Sequence, residues 1–237
     1  MNSHKESTEI ISIYLPDLPI YAACFIQEGN QIVMTGNRKF FYFYDLTKQK
    51  IEPIPHLLGH EDEKDLRRLV PGNTNYFCIL SSVTGYVLVL SQKSKRVEMA
   101  LKMNGSAEVG CFSQDESYLY TAGDEGEIYV WDLVARKCIQ RIADEGGFKI
   151  TCLDASPDSK YLAAGSKSGT CNIYLLSQGL FAQDTPQSAV KPVKTVFNLT
   201  TTLTTLKFHP SSQILLIASK WKKNAVKLVH LPSFTVF

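Results

Sequence analysis

Histidine, serine and acidic side chains are the first candidates for chemistry in this 237-residue sequence. The five histidines are His4, His56, His60, His209 and His230. They are scattered, and none pairs with a cysteine or aspartate at the spacing typical of metal ligands. His209 precedes a proline in a predicted turn and His230 ends a predicted strand, so we expect structural roles for both. The sequence therefore predicts no metal site.

The segment Gly165-Ser166-Lys167-Ser168-Gly169 suggests a phosphate-binding loop at first sight. It lacks the earlier glycine and the Gly-Lys-Ser/Thr order of such loops, and it joins two predicted strands. Lys167 also stands where a nucleophile elbow has its serine. We expect a hairpin turn here. Because the acidic runs Glu61–Glu63 and Asp124–Glu125 fall in predicted loops, solvated charge explains them best, and we predict no catalytic residue, cofactor or small-molecule substrate.

Basic residues cluster at four predicted turns, where cations could contact RNA or protein. The clusters are Arg38 and Lys39; Lys93, Lys95 and Arg96; Arg136 and Lys137; and Lys220, Lys222 and Lys223 around Trp221. The first and last fall between a second and a third strand, and the other two fall between a third and a fourth. We therefore expect these clusters on opposite faces. RNA contacts would neutralise phosphates and weaken steeply with salt, and Trp221 could stack on a base or anchor a protein partner, or simply lie in a solvated loop.

The elements that carry these turns are short, β-rich segments that repeat. One unit contains Ala107–Ser113, Tyr118–Gly123, Glu127–Asp132 and Lys137–Ile142, separated by turn residues. The next unit has the same order, and Tyr174 follows Trp131 at 43 positions. Four strands with a period of about 40–45 residues and a Trp-Asp pair closing the third strand are typical of a WD-repeat β-propeller blade.

The repeat predicts an all-β fold of about five four-stranded blades. Their expected bounds are about 20–54, 66–103, 106–142, 150–199 and 203–237, so that 10–237 forms the propeller and 1–9 is a disordered N-terminus. Residues 10–15 look like the outer strand of another blade. An open arc of five would expose an apolar face at each end, so either the chain is part of a larger propeller or that strand closes a five-bladed ring.

Composition is ordinary for a globular protein, with 44% hydrophobic and 20% charged residues. The net charge of +2 does not by itself indicate nucleic-acid binding. The apolar runs are too short to cross a bilayer, and there is no signal-peptide pattern, so no membrane partner is expected. Six cysteines without a Cys-x-x-Cys pair favour buried free thiols in a reducing compartment.

Several segments carry more than a general propeller pattern. They are Phe197–Leu203, Leu206–Phe208, Ser212–Leu215, Ile217–Ser219, Lys227–Ser233, Gly126–Leu133, Arg136–Ile139 and Gly85–Val87. Within them, the stretches Asn198–Thr202 and Leu228–Ser233 are much more specific than the Trp-Asp pair. Over roughly residues 10–237 the chain resembles the U3 small nucleolar RNA-associated protein 18 family. The resemblance implies a non-catalytic scaffold subunit of the small-subunit processome, the nucleolar U3 ribonucleoprotein that processes pre-rRNA toward 18S rRNA.

The resemblance also implies partners and a complete architecture. Expected partners are other processome proteins, including other WD-repeat subunits, and U3 RNA and pre-rRNA, directly or through the complex. Family members are expected to have a seven-bladed propeller and a charged N-terminal extension, which we do not expect in this chain. The alternatives are a protein-interaction adaptor, such as a ubiquitin-ligase substrate receptor, and a propeller hydrolase with catalytic side chains around the channel mouth.

Overall fold

The computed structural model describes residues 12–146, 148–176, 190–197 and 199–237. In these ranges the chain forms 19 strands, arranged in five separate antiparallel sheets in which strands follow one another in sequence order. Four sheets have four strands and the last has three. Within the same ranges, no helix has the length and apolar character needed to span a bilayer.

Each sheet is one blade. Blade 1 contains β1 (Ala22–Ile26), β2 (Gln31–Thr35), β3 (Phe41–Asp45) and β4 (Lys50–Ile54). Blade 2 contains β5 (Arg68–Pro71), β6 (Tyr76–Leu80), β7 (Tyr86–Ser91) and β8 (Val97–Lys102). Blade 3 contains β9 (Val109–Phe112), β10 (Tyr118–Ala122), β11 (Glu127–Asp132) and β12 (Lys137–Ala143). Blade 4 contains β13 (Ile150–Ala155), β14 (Tyr161–Ser166), β15 (Cys171–Leu175) and β16 (Lys194–Val196), and blade 5 contains β17 (Thr205–Phe208), β18 (Ile214–Ala218) and β19 (Val226–His230).

The blades stand side by side around an axis. The first strand of each blade contacts the first strand of the next, from β1 to β5, β9, β13 and β17. Each blade has two ends. The upper end carries the turn between the second and third strands and the connection to the next blade. The lower end carries the turn between the first and second strands and the turn between the third and fourth strands. This arrangement, with one four-strand order repeated about an axis, confirms the predicted WD-type propeller blades.

Four apolar cores lie between the five blades, one at each junction. The core between blades 1 and 2, for example, packs Phe43 against Phe77 with ring centroids 5.9 Å apart. Strands inside the arc are buried on both faces, as five of the six residues of β7 show. In β17, buried and exposed residues alternate, because blade 5 packs against blade 4 on one face only.

The Trp-Asp pair of blade 3 has a structural role. The Trp131 indole N–H donates to Thr121 Oγ1 at 2.7 Å, which joins β11 to β10 in the buried interior. Asp132 Oδ1 accepts the backbone N–H of Ala135 at 2.7 Å and so closes the turn that follows the strand. Asp45 does the same in blade 1, where its Oδ1 accepts the N–H of Lys48 at 2.9 Å. The aspartate therefore holds the third-to-fourth turn in shape.

Side chains also join neighbouring blades at the lower end. Glu116, in the first turn of blade 3, is buried and accepts the backbone N–H groups of Thr74 and Asn75 in blade 2, both at 2.9 Å. Ser212 of blade 5 accepts the backbone N–H of Asp158 in blade 4 at 3.0 Å. These bonds set the position of one blade relative to the next.

The two ends of the arc differ from expectation. Blade 5 has three strands, and the place of its fourth is taken by one β-bridge, between Val229 and Val236. Of the outer strand expected at residues 10–15, Ile10 and Ile11 lie outside the described residues, as does the expected disordered segment 1–9, and Ser12–Leu15 have no strand structure. The expected four-stranded form is therefore wrong for blade 5, because the described chain after β19 turns back for only a few residues.

Candidate interaction surfaces

The lower end of blades 1 to 3 carries exposed cations at equivalent turns. In each of these blades a residue just before the fourth strand adopts the left-handed conformation. Its φ is +50° at Gln49, +58° at Lys95 and +56° at Arg136. This shared backbone geometry presents the neighbouring side chains in the same way. Two clusters predicted from the sequence therefore occupy matching positions on adjacent blades.

We define the lower basic ridge as the exposed cations of these three turns: Lys48, Lys50, Lys93, Arg96, Arg136 and Lys137. Among described residues, only Lys48 of this set has a carboxylate within ion-pair distance, Asp45 Oδ2 at 3.7 Å. The clusters predicted from the sequence do not include Lys48 and Lys50, although these lysines stand at the same place in the four-strand unit as the other two clusters. That position in the repeat is the signal that identifies them.

Lys95 differs from the rest of its cluster. Its Nζ lies 2.7 Å from Glu52 Oε2 and 4.5 Å from the centroid of the Phe43 ring, and its side chain is only 17% exposed. Both partners belong to blade 1, so Lys95 joins blades 1 and 2. This contact holds the pKa of Glu52 below its ordinary value through the hydrogen bond and the positive charge. Lys95 is therefore less available to a partner molecule than Lys93 and Arg96.

The other two predicted clusters lie at the upper end, on blades at opposite ends of the arc. Arg38 and Lys39 occupy the β2–β3 turn, where Lys39 Nζ is 2.8 Å from the fully exposed Asp62. An exposed ion pair of this kind contributes little energy and exchanges readily for another partner. Lys220, Trp221, Lys222 and Lys223 occupy the β18–β19 turn, and all four are exposed. The structure does not bring these two clusters together.

The upper mouth of the axial channel is charged, and its carboxylates are paired. Glu108 contacts Arg68 of blade 2 and, at 3.0 Å, Lys149 of blade 4. Asp65 accepts hydrogen bonds from Arg67 at 2.6 Å and from the Ser82 backbone N–H at 3.0 Å. A propeller hydrolase should carry a ring of catalytic side chains here, and a mouth with only small apolar or neutral side chains would exclude one. The mouth is charged and does not meet that condition. Glu108 pairs with residues of both neighbouring blades, whereas the partners of Asp65 lie in its own connection and in blade 2.

The first strands border a cleft of about 500 Å³ on the inner side of the arc. Its carboxylate, Asp154, accepts Lys207 Nζ and the backbone N–H of Phe208, both at 2.7 Å. Burial raises the pKa of the Cys152 thiol to about 12 and that of Cys111 well above its ordinary value, so both are protonated at neutral pH and are poor nucleophiles. The described cysteines are all free.

Metal ligands and phosphate loops have no counterpart in the described part of the chain. No group of three or more histidine, cysteine, aspartate or glutamate side chains there could hold a metal ion. The Gly165–Gly169 segment forms the hairpin turn between β14 and β15, as predicted, with Gly169 at φ +89°. The described residues present the lower basic ridge at one end and the Lys220–Lys223 turn with Trp221 at the other.

The chain is similar to known WD-repeat proteins. The model of the WD domain, G-beta repeat, matches residues 101–132 and 136–174. A protein of Arabidopsis thaliana named U3 small nucleolar RNA-associated protein 18 homolog is 42% identical over 98% of this chain and 41% of its own length. The homolog of Homo sapiens is 38% identical over the same shares, and the Saccharomyces cerevisiae protein is 27% identical over 98% of this chain and 46% of its own length.

The chain thus spans about two fifths of the length of the curated relatives it matches. The match runs across all five blades and includes the segments that suggested the family in the sequence. Over the part of its relatives that it spans, the chain is similar to the U3 small nucleolar RNA-associated protein 18 family of WD-repeat proteins.

Proposed function

We propose that this chain is a non-catalytic scaffold subunit of the U3 ribonucleoprotein, or small-subunit processome. In that role it acts in nucleolar pre-rRNA processing and in the formation of 18S rRNA. The observation that carries the proposal is 38–42% identity over 98% of the chain to proteins named for association with U3 small nucleolar RNA. Its proposed partners are other processome proteins, WD-repeat subunits among them, together with U3 RNA and pre-rRNA.

The geometry supports binding rather than catalysis. Carboxylates of the channel mouth and inner cleft are engaged in ion pairs and hydrogen bonds, as Glu108 and Asp154 illustrate. Exposed cations are present at the lower end of the blades, in the lower basic ridge, and at the upper end, in the Lys220–Lys223 turn. A protein with positive loops at both ends can hold RNA or acidic protein segments on two sides, which suits a position inside a ribonucleoprotein.

We further propose that the five blades form part of a larger propeller, with seven blades as in the family expectation. Support comes from the outer faces of the terminal blades, where Phe25 is 62%, Val226 54% and Leu228 40% exposed. Propeller blades normally bury such faces against a neighbour. The expected domain bounds remain part of this proposal.

Co-purification from cells tests the function. The full chain, tagged and immunoprecipitated, should recover U3 RNA, pre-rRNA and processome proteins, and should concentrate in the nucleolus. Its depletion should raise the amount of unprocessed pre-rRNA. Recovery of cullin-type partners without U3 RNA or pre-rRNA, or steady exclusion from the nucleolus, would replace this proposal with the adaptor function.

A further inference from the structure

Three aromatic side chains are exposed at the upper end of blades 4 and 5. Phe148 precedes β13 and is 92% exposed, Phe197 follows β16 and is 71% exposed, and Trp221 in the β18–β19 turn is 67% exposed. A single exposed aromatic is common on protein surfaces, but three at one end of two neighbouring blades indicate a binding surface. The function proposed above assigns no role to Phe148 or Phe197.

A chain of hydrogen bonds makes this region one continuous surface. The Lys167 backbone N–H donates to the Lys149 carbonyl at 2.9 Å, and Thr202 Oγ1 donates to the Lys167 carbonyl at 2.9 Å. Ser219 Oγ donates to the Thr202 carbonyl at 2.7 Å and accepts the Trp221 backbone N–H at 3.4 Å. The loop that carries Phe148 is thereby connected to the turn that carries Trp221.

The charge of this surface is strongly positive. Its exposed lysines are Lys167, Lys220, Lys222 and Lys223, and none forms an ion pair with a described residue. Glu145 is the only exposed carboxylate among the described residues at the upper end of these two blades. Its neighbour Asp144 is buried, and burial raises the pKa of that carboxyl. Lys220 Nζ lies 5.3 Å from the centre of the Trp221 ring, so a cation and an aromatic face are presented together.

We propose that this blade 4–5 surface, formed by Phe148, Phe197, Trp221 and the four exposed lysines, binds single-stranded RNA. Exposed aromatic faces stack on bases that are not paired, while lysines neutralise the phosphates between them. A duplex hides its base faces and would use the lysines alone. An acidic peptide would likewise leave the aromatic side chains without a partner. The inference rests on the proposed function, which places the chain in a ribonucleoprotein.

The test measures binding of the full chain to a fluorescently labelled oligouridine of about 12 nucleotides, over a range of salt concentrations. Trp221→Ala should weaken binding by about 5- to 150-fold, the effect of losing one stacked base, while Trp221→Phe should keep most of it. The double variant K222A/K223A should lower the slope of log K against log salt by about 1.4, at about 0.7 per lost phosphate contact.

Matched controls come from elsewhere on the chain. Val83→Ala alters an exposed residue of the equivalent turn in blade 2, and K64A/K191A removes two exposed lysines outside the surface. Both should bind like the wild type. Because Trp221 and the two lysines are exposed, all variants should keep the melting temperature of the wild type.

Three results would overturn the inference: wild-type binding by Trp221→Ala, equal competition by a duplex of the same length, or binding of polyglutamate in place of oligouridine. The immunoprecipitation separates this failure from failure of the proposed function. If the wild-type chain recovers U3 RNA while oligouridine binding does not depend on Trp221, the inference fails and the proposed function stands. If no U3 RNA is recovered, the proposed function fails whatever the oligouridine result.

Discussion

Removing the Glu116 carboxylate should loosen blade 2 from blade 3. Its two oxygens each accept one backbone N–H, from Thr74 and Asn75, at 2.9 Å. A hydrogen bond to a charged group contributes about 1.5–3 kcal/mol, but both donors lie on exposed residues and would be hydrated after truncation. We therefore expect Glu116→Ala to cost about 2 kcal/mol in local stability.

Glutamine is the informative replacement at position 116, because it keeps the shape of the side chain. An amide offers one acceptor and one donor where the carboxylate offers two acceptors. One of the two N–H groups must then face an NH₂ group, so Glu116→Gln should be nearly as unfavourable as Glu116→Ala. This expectation depends on the geometry of both bonds and not on charge alone.

Amide hydrogen exchange at Thr74 and Asn75 measures the effect directly. A local loss of about 2 kcal/mol corresponds to exchange that is about 30-fold faster at these two amides. Asp115→Ala is the matched control, since Asp115 is exposed in the same turn and, within the described ranges, accepts bonds from Ser113 and Ser117 of its own blade. Unchanged protection in both Glu116 variants, or equal loss in Asp115→Ala, would refute the reasoning.

Three further substitutions have defined outcomes. Burial raises the pKa of the Asp144 carboxyl in the folded protein. The stability that the protonated carboxyl contributes is therefore fully present below about pH 3.9, the unfolded pKa, and is lost as pH rises through the folded pKa. Asp144→Asn should raise the melting temperature at neutral pH and make the melting temperature less dependent on pH. Trp131→Phe leaves the buried Thr121 hydroxyl without its donor and should cost about 1–3 kcal/mol in urea unfolding, part of which T121V in the same chain restores. Lys95→Ala should raise the pKa of Glu52 in an NMR titration; an unchanged value would contradict the observed ion pair.

The order of strands within each blade was predictable because it depends on local features of the sequence. Each strand is a short β-branched or aromatic run bounded by turn residues, and the four-strand unit recurs at nearly constant spacing. Irregularities within strands were not predictable. The register shifts between Val130 and Trp131, and between Ile150 and Cys152, depend on how neighbouring strands pair, which no single strand sequence specifies.

The candidate surfaces were predictable only in part, because exposure and pairing depend on distant residues. Lys93, Lys95 and Arg96 look alike in the sequence, yet Lys95 meets Glu52, which is 43 positions earlier. Phe148 gave no signal, since an apolar residue in a short connection is usually assigned to the core. Its exposure follows from the path of the connection between blades 3 and 4.

The bonds between blades have a consequence for how such proteins diversify. Glu116 and Ser212 join blades through first turns close to the axis, and Glu108 does so at the opposite end. The rim turn of blade 3, which presents Arg136 and Lys137, makes no bond to a neighbouring blade among the described residues, whereas Lys95 in the rim turn of blade 2 contacts Glu52 of blade 1. Rim residues that make no such contact can therefore be exchanged over evolutionary time for new recognition tasks while the assembly of blades around the axis is kept.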